Sequence, residues 1–214
     1  MTNLNSFLSS TIGKKVLVAI TGILFCLFLL FHLINNLVIY TGEENFNYLV
    51  SSLEKIKPLI RLLELGLLTI LVVHISNSIY LSIQSRKSGN QTSLSSVKKP
   101  NAPLSSRTML LTGSILFVFI VVHLSTFWFN FQLTDDHDAY YNMVTNSAIG
   151  FGNIFITLLY LTAMIVLGFH LKHGFSSAIQ TLGFKDTSIG KVISAIGVFF
   201  WLFIPAGFFS IAFW

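Results

Sequence analysis

Charge is scarce in this sequence. Lysine, arginine, aspartate and glutamate together make up 10% of its 214 residues, where a soluble domain carries about 25%. That is too little polar surface to coat a body in water, and the mean hydropathy is +0.76. Lipid is the solvent that suits the excess apolar surface. Cysteine is almost missing: Cys26 stands alone, which excludes an internal disulfide framework. No dinucleotide fingerprint and no long Gly/Ser linker is present, and the length fits one unit, 1–214, without a domain boundary.

What is abundant is long apolar runs. A membrane helix needs about 20 mostly apolar residues. Five stretches qualify: Val16–Tyr40, Leu59–Ile83, Met109–Phe131, Ile149–Ile179 and Lys191–Trp214. The fold class expected is therefore all-α, an integral membrane bundle of five transmembrane helices. The first run is too long for a cleaved signal, whose apolar core spans about 7–15 residues, so it is expected to be retained. Ser85–Ser106 reads as a polar loop. Phe46, Leu49, Leu53 and Ile56 recur at helical spacing and predict a short amphipathic helix on a membrane surface. Asp138–Val144 is expected to do the same.

The few charges are unevenly shared between the loops. Lys14, Lys15, Arg86, Lys87, Lys98, Lys99, Arg107, Lys172, Lys185 and Lys191 fall on one side with a single acid, Asp186. Lys55, Lys57 and Arg61 fall on the other with Glu43, Glu44, Glu54, Glu64, Asp135, Asp136 and Asp138. The positive-inside rule puts the first side in the cytoplasm, so the N-terminus is expected inside and the C-terminus outside. No nucleic-acid partner is expected.

Histidines stand inside the spans, where ionisable side chains are costly and are functional candidates. At about 1.5 Å per residue, His32 lies roughly 24 Å along its helix from Val16, in the outer half. The same reckoning puts His123 in the middle or outer half and His74 and His170 in the inner half. Four helices thus supply two depth-matched pairs, His32 with His123 and His74 with His170. Two imidazoles per layer suit two haems, each ligated on both faces and so limited to electron transfer. The sequence has no C-x-x-C-H, so such haems would not be thioether-linked. His173, three residues past His170, is the alternative ligand on its helix; His137 belongs to the acidic loop and is expected to be solvated. Thr21 and Gly22 precede His32 by about three turns, as Thr112 and Gly113 precede His123. These small residues suit either a flat cofactor or ordinary close helix packing. Arg107, Ser105, Gln180 and Lys185 are positioned for propionates of an inner haem.

The order of these features resembles the five-helix, dihaem cytochrome b anchor of the succinate dehydrogenase/fumarate reductase family. Local matches are G-K-K at Gly13–Lys15, T-G-x9-H at Thr21–His32, K-P-x15-H at Lys57–His74 and F-H-x3-G-x8-G at Phe169–Gly183. The resemblance covers nearly the whole chain and implies a single transmembrane cytochrome b domain. It implies His32, His123, His74 and His170 as haem-iron ligands, two haem b, and a quinone, menaquinone, as substrate. It favours His170 over His173. It further implies flavoprotein and iron–sulfur partners on the cytoplasmic side of a bacterial inner membrane. The succinate or fumarate chemistry of such a respiratory complex II then belongs to those partners. Glu54 matches the family's quinone-site carboxylate near the start of the second helix. Glu64, expected to pair with Arg61 across one helix face, is the second candidate. Some relatives carry a carboxylate two residues before the fourth-helix ligand; here that position is Gly168. Two other functions fit the residues: a haem-free proton or ion transporter with a histidine relay, and the cytochrome b subunit of a hydrogenase or formate dehydrogenase.

Overall fold

The computed structural model describes residues 4–92 and 104–214, and their side chains except at 4, 88–92 and 104–107. Among the described residues the chain is mostly helical, with no strand. In chain order the helices are α1 (Leu4–Ser9), α2 (Thr11–Leu37), α3 (Glu43–Glu54), α4 (Lys57–Thr92), α5 (Leu104–His123), α6 (Phe129–Leu133), α7 (Tyr140–Thr145), α8 (Ile154–Thr181), α9 (Ser188–Val198) and α10 (Ile204–Phe213). Five stretches are long and apolar enough to cross a membrane: Thr11–Thr41, Lys57–Lys87, Thr108–Leu133, Ile154–Thr181 and Ser188–Phe213.

Helix starts are set by side-chain caps. The Ser10 hydroxyl accepts from the Gly13 amide at 3.0 Å, and Thr187 accepts from Gly190 at 2.9 Å. The fourth span begins five residues later than hydropathy suggests, at Ile154 rather than Ile149. Two asparagines explain the difference. Asn146 Oδ1 gathers the amides of Ala148, Ile149 and Gly150 into a turn, and Asn153 caps α8 through Phe155 and Ile156. The same helix stops at Gly183, whose φ of 82° lets Phe184 donate back to the Ile179 carbonyl at 3.0 Å.

The expected loop at Ser85–Ser106 is shorter than read from composition. The second helix continues to Thr92 and the third begins at Leu104. Polarity marks where a helix leaves lipid, not where it ends, and arginine, lysine and glutamine are good helix formers. Lys98 and Lys99 lie outside the described residues. The fifth span likewise starts at Ser188, ahead of Lys191.

Two spans contain a wide π-helical turn. One, Phe199–Phe203, joins α9 to α10. Pro205 follows it; a proline has no N–H, so the Trp201 carbonyl loses its usual partner four residues on. The other, Leu124–Trp128, begins immediately after His123.

The spans alternate in direction, so α3, α7 and most acidic residues collect at one end, the acidic end. The described loop cations collect mainly at the other. The densest core lies near the acidic end, where Leu33, Ile39, Phe46, Phe127, Tyr140, Tyr160 and Ile204 pack together. The amphipathic helix expected around Phe46 is present as α3, but it ends at Glu54, and Ile56 lies beyond it, exposed. It docks on α7 through buried Asn47, which donates to the Asp138 carbonyl at 2.7 Å and accepts from the Tyr141 amide at 2.8 Å. α4 leans along α2 and touches α3 and α5 only briefly. None of its most apolar stretch is buried.

Candidate functional site

Four of the spans bring histidines to the interior at two levels. Toward the acidic end, His32 of α2 faces His123 of α5, with ring centres 5.8 Å apart and planes at 88°. Phe28 stacks on His32 at 5.2 Å, and Phe208 closes another side at 5.6 Å. His123 is ringed by Phe119 and Phe127, and its Nδ1 lies 3.2 Å from the Tyr160 hydroxyl. His32 Nδ1 is 3.4 Å from the Asn36 amide. Aromatic walls leave each imidazole few polar partners, which fixes ring orientation.

Toward the opposite end lie His74 of α4 and His170 of α8, within electrostatic range of each other. Each reaches across to a neighbouring helix. His74 Nδ1 meets Thr21 Oγ1 of α2 at 2.9 Å, and His170 Nδ1 meets Thr112 Oγ1 of α5 at 3.1 Å. Gly22 and Gly113 sit beside the same rings. A Cβ at Gly22 would lie 3.6 Å from His74 Cε1, and one at Gly113 would lie 3.5 Å from His170 Cε1. These glycines flank histidines of a neighbouring helix rather than the histidine that follows them in sequence. His173 lies one turn nearer the basic end of α8, within electrostatic range of His170. The side chain of Arg107 lies outside the described residues.

Among the described residues no three His, Cys, Asp or Glu side chains gather as a metal cluster; the span histidines come in twos. Gly168 abuts the fifth span. A Cβ there would stand 3.1 Å from the Trp201 carbonyl oxygen, so a larger residue would push α8 away from the π-turn.

A second constellation lies at the acidic end. Glu54, Lys57, Arg61 and Glu64 line one cavity of about 140 Å³ with Gln132 and Tyr140. The expected Arg61–Glu64 pair forms, at 2.6 Å. Arg61 also donates to Gln132 and lies over the Trp128 ring, while Trp128 Nε1 donates to the other Glu64 oxygen at 2.8 Å. Glu54 binds Lys57 at 3.5 Å and His137 Nδ1 at 3.0 Å. His137 is thus exposed, as expected, yet tied to the site. Tyr140 is fully buried and donates to Glu54. Burial first, then that bond and the charges of Glu54 and Asp136, push its phenol up to about 12.

Sequence reasoning found Glu54 and the Arg61–Glu64 pair and missed Tyr140, Gln132 and Trp128. Nothing in the local pattern distinguishes Tyr140 from its neighbour Tyr141. The recurrence of T-G-x9-H at Thr112–His123 was legible, but the threonine's contact with another helix was not. Comparison with protein-family models, with curated proteins and with solved structures finds no match for this chain.

Proposed function

We propose that this chain is the membrane anchor and electron-transfer subunit of a succinate dehydrogenase/fumarate reductase-type complex. It would hold two b haems, one between His32 and His123 and one between His74 and His170. The observation that carries the reading is the pairing of histidines from four different spans at two levels. Two imidazoles that share one metal ion, each at a bond length of about 2 Å, would need ring centres roughly 6 Å apart. The 5.8 Å separation of His32 and His123 fits that requirement. At the other level, α4 stands away from α5 and α8, and Gly22 and Gly113 add no side chain beside the rings, which suits a flat apolar group.

A haem held by these histidines would supply one-electron transfer. The chain's own residues hold the imidazoles, span the bilayer, and exclude water with Phe25, which meets His74 edge-on at 5.7 Å, and with Phe28, Phe119 and Phe208. The charge asymmetry of the loops supports a cytoplasmic N-terminus, in the inner membrane of a bacterium. The basic end would then receive a flavoprotein and an iron–sulfur subunit, and the acidic end would face outside.

Quinone is assigned to the cavity at the acidic end, near the His32–His123 level. Its volume suits a quinone ring and not the tail, which would lie along exposed Leu59, Leu62 and Leu63. Glu54 is the group for exchanging protons with the ring. Arg61 holds Gln132 at the cavity wall, Glu64 ties Arg61 to Trp128 behind it, and Tyr140 holds Glu54. A menaquinone is the expected quinone by resemblance alone.

Affinity purification of the tagged chain from mild-detergent membranes, with mass spectrometry of what accompanies it, tests the assignment. A flavoprotein and a cysteine-rich iron–sulfur protein in equal amounts are expected. A hydrogenase or formate dehydrogenase partner, or no partner, contradicts it.

A further inference from the structure

The two histidines nearer the basic end are held by a device used twice. Thr21 and Thr112 each begin a T-G-x9-H stretch, and each hydroxyl reaches across to Nδ1 of a histidine on the adjacent helix. A threonine hydroxyl has one proton to give. That of Thr21 goes to its own helix, with the Leu17 carbonyl at 2.7 Å and the Val18 carbonyl at 3.1 Å. That of Thr112 goes to the Met109 carbonyl at 3.1 Å. The hydroxyl oxygen is left to accept. With the hydroxyl protons so placed, both imidazoles carry their proton on Nδ1 and donate it, which leaves the Nε2 lone pairs of His74 and His170 free.

The other pair lacks this arrangement. His123 meets the Tyr160 phenol, and His32 Nδ1 faces the Asn36 amide nitrogen at 3.4 Å, a group that can only donate and already bonds the His32 carbonyl at 2.7 Å. The helices that bear His32 and His123 thus supply the hydroxyls that orient His74 and His170.

We infer that Thr21 and Thr112 are positioning residues that fix the tautomer and ring orientation of His74 and His170 and strengthen them as metal ligands. The inference rests on the two-haem reading above. An imidazole that donates a strong Nδ1–H bond is a more basic ligand, and a more basic ligand favours the oxidised metal. The hydroxyls therefore hold the potential of the His74–His170 haem below what it would otherwise be, without touching the other haem.

The test is a redox titration of the intact complex carrying Thr21→Val or Thr112→Val, which keep the shape and remove the acceptor. His32→Ala identifies which signal belongs to which pair. The expected result is an upward shift of the His74–His170 haem potential, an unmoved His32–His123 haem, and recovery in Thr21→Ser and Thr112→Ser. Loss of the His74–His170 haem alone, with the serine variants retaining it, also supports the role. An unchanged potential in both valine variants, or equal changes in both haems, overturns it. Where a valine variant does not accumulate in membranes, Thr21→Ala and Thr112→Ala are read in the same way. Should the unsubstituted chain contain no haem, the two-haem reading fails. The nitrogen-15 shifts of His74 and His170 then test the pairing alone: Nδ1-protonated rings support it, and Nε2-protonated rings overturn it.

Discussion

His32 and His123 face each other across the bundle with ring planes at 88°, and each reaches that position from a different span. Neither ring depends on His74 or His170 for its contacts. Replacing His32 or His123 by alanine should therefore remove one haem signal and leave most of the other. Low-temperature spectra of the two single variants check this. Equal loss of both signals in a folded protein would mean the two levels are not separate sites.

On α8 the choice between His170 and His173 has a structural basis. His170 is clamped by Thr112 at 3.1 Å and lies beside Gly113, while His173 sits one turn further toward the basic end. Alanine at 170 is expected to abolish the haem shared with His74. Alanine at 173 should alter its spectrum at most. Haem retention in His170→Ala together with loss in His173→Ala reverses the assignment.

Glu54→Gln should keep both haem spectra, because Glu54 contacts Lys57, His137 and Tyr140 and none of the span histidines. It should lose quinone-linked turnover, by about tenfold or more if it handles the protons, while a dye reduced at the soluble subunits still reports activity. Full quinone activity in Glu54→Gln would shift the role to Glu64, and full activity in the double variant would remove it from this cavity.

Tyr140 makes a pH-dependent contribution. Its phenol is raised to about 12 by burial and by Glu54, against an ordinary value near 10. The neutral form is the one the fold favours, so the stabilisation is complete below about pH 10. It is lost as pH climbs through the raised value. The midpoint of thermal unfolding should fall more steeply above pH 10 in the unsubstituted chain than in Tyr140→Phe. Parallel curves would show that Tyr140 does not titrate in the unfolding range.

Gly168→Ala tests the packing of α8 on the fifth span. The added methyl would stand 3.1 Å from the Trp201 carbonyl, a backbone atom that cannot swing aside. Overpacking of this kind costs about 1–3 kcal/mol, read as a lower unfolding midpoint in detergent. An unchanged midpoint would mean that the π-turn yields at no cost. The contact gives a reason for glycine where the resemblance suggested a carboxylate: a glutamate would meet the same carbonyl.

The parts legible in the sequence were those governed by solvent and by spacing along one helix. Span number follows from hydropathy, the depth of each histidine from the rise per residue, and the Arg61–Glu64 pair from its three-residue spacing. Contacts between helices were not legible, because they depend on rotation about each axis. Thr21 was read with His32, on its own helix, yet bonds His74. Helix ends were misplaced where asparagine side chains replaced backbone partners, as at Asn146 and Asn153. Tyr140 was missed because burial beneath α3 is a tertiary fact, invisible in a loop rich in acids.

The central claim is tested most directly by the dithionite-reduced minus oxidised spectrum of the purified chain, with haem extracted and counted per polypeptide. The account predicts b-type absorbance, about two haems per chain, and release of all of it by acid acetone, as expected without a thioether link. A colourless, folded protein in lipid, from cells supplied with haem, would contradict it.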